Sequence, residues 1–120
     1  MTHSIEVKNV SKKFDDFVAV DNISFTVTEG EIFAFLGPNG AGKTTSIKML
    51  TTLLEPTSGS VILNGFNVAL ESDQTRKSFG IVFQDPSLDN DLTAYENMEF
   101  HAVLYGVPSS VYKPRIVELL

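Results

Sequence analysis

The sequence predicts an α/β fold in which an antiparallel strand layer precedes a strand–loop–helix unit. Three observations carry this. Apolar and polar residues alternate over residues 4–10 and again over residues 23–27. A continuous apolar run, residues 32–36, then enters a glycine-rich stretch that ends at Gly42. A helical pattern over residues 44–54 follows at once. Alternation marks a strand with one solvated face, whereas a continuous run marks a strand buried on both faces, as in parallel sheets.

The elements follow in order. Ile5 and Val7 share one face of the first strand, and Ile23, Phe25 and Val27 share one face of the second, which ends at Thr28-Glu29-Gly30. Residues 32–36 are expected as a buried strand. In the helix over 44–54, Ile47, Leu50 and Leu54 fall on one side, and Pro56 and Gly59 close it. Residues 60–63 and 66–68 flank Asn64-Gly65, a pair that tolerates the positive φ of a tight turn and so predicts a hairpin. A short polar helix is expected over 70–78 and a short buried strand over 80–83. Thr93 and Glu96 make a capping box for a helix over 93–105, stopped by Gly106 and Pro108, with Met98, Ala102 and Tyr105 as its apolar stripe. A last helix starts near Ser109 or Ser110, and Pro114 fits its first turn poorly unless that start is late. Residues 115–120 form an apolar-rich helical pattern with no cap, as expected of a chain cut inside an element.

Composition narrows the function. The 120 residues, 42% of them hydrophobic, can bury a real core and exclude a disordered chain. There is no cysteine, which excludes disulfides and thiolate metal sites. Nine Lys and Arg against fifteen Asp and Glu give a net charge of −6, which argues against a nucleic-acid coat. No apolar run approaches the ~20 residues of a membrane span, and the polar start lacks a signal peptide, so a cytoplasmic chain is expected.

The chemistry lies in Gly37, Pro38, Asn39, Gly40, Ala41, Gly42, Lys43, Thr44 and Thr45, which match G-x-x-x-x-G-K-[ST]. The glycines let the backbone approach an anion, its amides cradle phosphate oxygens, and the following helix adds its positive end. Lys43 supplies a cation for the β- and γ-phosphates, the Thr44 hydroxyl can ligate Mg²⁺, and Thr45 adds a further polar contact. The bland alternative is a glycine-rich turn, which the flanking strand and helix patterns disfavour. The aspartates at 85, 89 and 91 fit no calcium-loop spacing and are expected as a solvated acidic loop. His3 and His101 belong to no metal or nucleophile pattern.

The segment GPNGAGKTT resembles the Walker A loop of ATP-binding-cassette ATPases. The antiparallel layer before the loop is similar to that family's N-terminal layer. The resemblance implies a P-loop NTPase core that is incomplete and truncated in the helical subdomain, with residues 1–120 as the N-terminal part of one ATP-binding domain. It implies that Phe14 stacks on adenine where the family more often has Tyr. It also implies that Gln84, 41 residues after Lys43, touches Mg²⁺ or the attacking water and couples to a membrane partner. Residues 84–108, QDPSLDNDLTAYENMEFHAVLYGVP, resemble the exporter branch typified by daunorubicin-resistance ATPases. The expected ligands are ATP and Mg²⁺. The expected partners are a transmembrane permease subunit and a second copy of the chain, at the inner face of the cell membrane.

The family's Ser-Gly-Gly signature loop, its strand ending in Asp, its catalytic Glu and its switch His do not occur in these 120 residues. Nucleotide binding without competent hydrolysis is therefore expected of this chain, and an unpaired sheet edge is expected to drive self-association. Three other readings stay open at this point. One is a P-loop kinase or GTPase, although no Asn is followed by Lys as a guanine-reading motif requires. The others are a soluble cassette protein without a transporter role, and a structural fragment with a collapsed, empty loop.

Overall fold

A computed structural model describes residues 2–38 and 40–120, which fall into two units, residues 1–80 and 81–120. In the first unit, β1 (His3–Phe14) and β2 (Phe17–Thr28) form a long antiparallel hairpin closed by Asp15-Asp16. Both strands outrun the alternation that predicts them. Their register shifts in several places, and Asn9 and Asn22 take positive φ values of 51° and 47°. Two serine hydroxyls accept the backbone N–H groups there: Asn9 N donates to Ser24 Oγ at 2.8 Å and Asn22 N to Ser11 Oγ at 2.8 Å. An irregular ladder therefore continues without losing those bonds, but its hydrophobic phase breaks, so a period-two pattern in sequence stops short.

The second edge of β1 pairs antiparallel with β3 (Ser58–Leu63), which turns into β4 (Phe66–Asn67), giving the order β2-β1-β3-β4. The Asn-Gly hairpin forms where the sequence predicts it, with φ of 50° at Asn64 and 86° at Gly65. Val68 extends the pairing by donating to the Val61 carbonyl at 3.0 Å.

Helix α1 (Lys43–Leu50) packs on this sheet. Its Met49 and Leu50 join Val7, Val10, Val20, Val61, Leu63 and Val68 in one core. The expected stripe is thus rotated, since Ser46, Met49 and Leu50 face inward while Ile47 is 40% exposed. The helix also ends four residues before position 54. Thr51 Oγ1 donates to the Ile47 carbonyl, Thr52 turns to φ 66°, and Leu53 and Leu54 both donate to the Lys48 carbonyl. A short helix α2 (Ser72–Lys77) is tied back by Arg76 Nε, which donates to Thr52 Oγ1 at 2.9 Å.

The antiparallel layer and the helix after the glycine loop fulfil the α/β expectation, but the two buried parallel strands do not form. Residues 31–38 carry no regular structure, and Ile32 and Leu36 are 98% and 90% exposed. A central parallel strand takes hydrogen bonds from both sides and helices over both faces. Each described strand pairs antiparallel with another within the one sheet, and none pairs with residues 32–36. Only one side of this segment packs: Phe33 stacks on Phe25 at 5.1 Å between ring centroids, and Phe35 meets both rings edge-on at 5.4 Å. The expected strand over 80–83 is likewise irregular, and Val82 is 98% exposed.

The second unit holds α3 (Ala94–Leu104) and α4 (Ser109–Leu119). The α3 boundaries follow the expected signals. Glu96 N donates to Thr93 Oγ1 at 3.1 Å, and Gly106 at φ 70° ends the helix with Val107 N bonded to the Ala102 carbonyl and Gly106 N to the Val103 carbonyl. Its inward residue is Asn97 rather than the expected apolar stripe, for Met98 and Ala102 are half-buried and Tyr105 is exposed. Asn97 accepts from Asp89 N at 2.9 Å and donates to the carbonyls of Asp89, Leu92 and Thr93, so one amide staples the preceding loop to the helix. α4 starts at Ser109 with Pro114 in its second turn, and its Ile116 is buried. Partial burial, then the Glu99 carboxylate, raise the pKa of Tyr112.

Gly59 marks the tightest backbone contact of the first unit. It has φ 85°, and a Cβ there would stand 2.3 Å from the Asn9 carbonyl oxygen. Gly59→Ala is expected to cost at least about 2 kcal/mol, read as a lower urea midpoint, because strain and a backbone clash add.

Candidate functional site

The glycine loop is placed by the strand beneath it. Gly42, the N-terminal cap of α1, has φ 92°, and a Cβ on it would lie 2.7 Å from the Ala19 carbonyl and 3.3 Å from Val20 Cγ2. Only glycine allows this approach, and it seats the first turn of α1 directly on β2. Within the loop Ala41 N donates to the Pro38 carbonyl at 3.2 Å, and Ser46 N donates to Gly42 at 2.9 Å as the helix begins.

The amides of the first turn have no intrahelical partners, which leaves positive potential at this end. No acidic side chain lies in that turn. Above it opens a cavity of about 380 Å³ lined by Phe17, Ala19, Gly40, Gly42, Lys43, Thr44 and Thr45. Five of these residues come from the loop and helix start, and two from β2. The Lys43 ammonium donates to the Gly37 carbonyl, so the lysine bends back across its own loop. An incoming phosphate would exchange one oxygen for another on that ammonium, a charge-assisted replacement.

The structure thus brings Gly40, Gly42, Lys43, Thr44 and Thr45 around one cavity and keeps Gly37 in contact with the lysine. Pro38 and Ala41 close the turn by their mutual bond. Asn39 lies outside the described residues. Phe14 stands at the end of β1, opposite Phe17 in the ladder, and is not among the residues lining the cavity. Its ring carries the Lys12 ammonium 5.2 Å from its centroid. Gln84 is exposed on an irregular stretch of the second unit. Phe17 and Ala19 are the lining residues that sequence reasoning missed. Their signal was their spacing of two along a strand, which puts both on one face.

For a divalent cation the donor set is spare but suitable. The Thr44 hydroxyl is a hard oxygen at the cavity, and Mg²⁺ characteristically binds few protein ligands plus phosphate oxygens. Among the described residues no group of three or more His, Cys, Asp or Glu could hold a metal ion.

A glycine loop that opens a helix and carries G-x-x-x-x-G-K-[ST] places the chain in the P-loop class, although the segment entering the loop is not a strand here. Comparison with known proteins narrows the class. The family model described as ABC transporter matches residues 20–118, and the chain belongs to that family. It is 42% identical over 112 residues to the probable multidrug ABC transporter ATP-binding protein YbhF of Escherichia coli, covering 93% of this chain and 19% of that protein. It is 38% identical over 120 residues to the Nod factor export ATP-binding protein I of Cupriavidus metallidurans, covering all of this chain and 40% of that one. A solved ATP-binding subunit of an ABC transporter superimposes with a TM-score of 0.82 at 33% identity, over 95% of this chain and 47% of that one. A cassette solved as a dimer in a post-hydrolysis state with ADP and Pi gives 0.75 at 29% identity, over 95% and 54%. The chain therefore spans less than half the length of both curated relatives.

If the contact with Ala19 sets the loop, Gly42→Ala should weaken MgATP binding by tenfold or more in calorimetry. Stability read from urea melts should also fall, by about 2 kcal/mol, because positive-φ strain and the clash with the Ala19 carbonyl of β2 add.

Proposed function

We propose that this chain is the nucleotide-binding part of the ATP-binding subunit of an ABC exporter, with residues 1–120 belonging to one ATP-binding domain. The observation that carries the reading is the cavity in which Gly40, Gly42, Lys43, Thr44 and Thr45 meet at the start of α1. The phosphates of ATP lie on residues 37–45. Gly37, Gly40 and Gly42 give backbone access, Pro38 and Ala41 shape the loop, and Lys43 holds the β- and γ-phosphates. Thr44 ligates Mg²⁺, and Thr45 adds a contact to phosphate. Adenine lies against Phe14. Gln84 senses the γ-phosphate through Mg²⁺ or the attacking water.

The exporter assignment draws on the multidrug and Nod factor export names of the relatives. In the assembled transporter the chain works with a transmembrane permease subunit and a second copy, on the cytoplasmic face of the cell membrane. No helix among the described residues is long and apolar enough to cross a membrane. These 120 residues offer no carboxylate in a Walker B or catalytic-glutamate motif to polarise the attacking water, so binding is uncoupled from turnover here.

The test is a thermal-shift series. MgATP at about 100 times its Kd adds roughly 2.7 kcal/mol, a rise of about 10 °C in midpoint for a chain of this size. Lys43→Ala should remove most of that rise, and the wild-type chain should release no phosphate above background. A wild-type midpoint that does not move with MgATP overturns the reading in favour of a collapsed loop. A much larger rise with MgGTP overturns it in favour of a GTPase.

The exposed apolar side of residues 32–36 also bears on association. Its Ile32 and Leu36 side chains cost free energy in water, roughly 25 cal/mol per Å² of apolar surface. Self-association through this segment is expected, seen in light scattering as a concentration-dependent mass. Ile32→Lys with Leu36→Lys should restore the monomer.

A further inference from the structure

The proposed nucleotide reading leaves the base end of the cavity in an unexpected arrangement. The lining aromatic is Phe17, on β2, and not Phe14. Phe17 is 65% exposed, although it sits beside the loop that would hold the phosphates. Its neighbours on the cavity wall are Ala19, which is small, and the helix start with Lys43, Thr44 and Thr45. Every charged or hydroxyl group of the lining therefore belongs to α1, and the β2 side is apolar.

Phe14 and Phe17 oppose one another as Cα partners across the two-residue turn. Directly paired residues of an antiparallel ladder project from the same face, with Cβ atoms about 4.5–5.5 Å apart. The two side chains therefore project from one face of the hairpin. They are not equivalent. The Lys12 ammonium lies 5.2 Å from the Phe14 ring centroid and also donates to the Glu55 carbonyl at 2.8 Å, which holds a cation at Phe14. Phe17 carries no such cation and borders the cavity.

We propose that Phe17 is a base-contacting residue, forming with Phe14 a two-ring apolar wall for the purine of the bound nucleotide. Phe17 supplies the ring next to the cavity, and Lys12 holds Phe14 beside it. This rests on the nucleotide reading above and deepens it. The physical basis is stacking: a base laid against an aromatic side chain gains affinity through its face, independently of the polyphosphate contacts. The wall should therefore act on a nucleoside triphosphate and leave a bare polyphosphate untouched.

The test is calorimetric titration of the 120-residue chain with MgATP and, separately, with magnesium tripolyphosphate. Phe17→Ala should weaken MgATP by about 5- to 30-fold, the range expected for losing one partly exposed stacking ring. Tripolyphosphate affinity should stay within twofold, and Phe17→Tyr should restore MgATP to near the wild-type value. Because Phe17 is exposed, the alanine variant is expected to fold, and Phe17→Leu provides a second variant that keeps apolar bulk without a ring. Phe17→Leu should lose most of what Phe17→Ala loses.

Unchanged MgATP binding in Phe17→Ala overturns the proposal, as does an equal loss for tripolyphosphate, which would mean a general disturbance of the loop. Wild-type chain that binds tripolyphosphate and not MgATP overturns it as well, while leaving a phosphate site. Wild-type chain that binds neither overturns the nucleotide reading itself, and this inference with it.

Discussion

The seat of the glycine loop on β2 is the constraint from which the rest of the site follows. A Cβ at Gly42 would come within 2.7 Å of the Ala19 carbonyl, so the backbone of α1's cap touches the backbone of the strand. That contact fixes where the helix N-terminus points, and with it the direction of its unpaired amides. It also brings Phe17 and Ala19 to the mouth of the same cavity. One residue without a side chain thus joins an anion-attracting helix end to an apolar strand face. The proposed nucleotide reading draws on both of those surfaces.

The sheet supports this seat through irregularity rather than in spite of it. The register shifts of β1 and β2 use Asn9 and Asn22 at positive φ, and two serine hydroxyls keep their N–H groups bonded. Gly59 presses against the Asn9 carbonyl, so β3 is fitted to the distorted ladder. The core then closes with Met49 and Leu50 of α1 against valines of β1, β2 and β3. Burial of these side chains, each worth on the order of 1.5–3 kcal/mol, holds the helix on the sheet and so holds the loop in place.

Family membership and geometry support each other on one element and diverge on another. The loop carries the family's motif and lies at the start of α1 as that motif requires. The strand that ought to deliver the chain into the loop is absent as a strand. Phe33 and Phe35 still anchor residues 31–38 to Phe25, so the segment enters the loop from the β2 side without ladder bonds. Aromatic packing on one side does the positioning, and the opposite side carries Ile32 and Leu36 into solvent.

Local signals were legible in the amino-acid order because local physics determines them. The Asn64-Gly65 turn, the Thr93 cap, the Gly106 stop and the G-x-x-x-x-G-K-[ST] loop each depend on backbone conformations that only a few residue types accept. The full extent of β1 and β2 was not legible, because bulges break the period of two. Nor was the failure of residues 32–36 and 80–83 to become strands, since an apolar run states a preference for burial and cannot supply the neighbouring strand. The choice of Asn97 as the inward residue of α3 depended on the carbonyls of a loop folded over it. The same holds for Phe17. By itself the sequence determined that a glycine loop with its lysine opens α1, because that motif is carried by neighbours along the chain. The tertiary structure alone decided which aromatic ring borders that site, because a cross-strand pairing and the depth at which a helix sits on a sheet are distances between segments that sequence order does not contain.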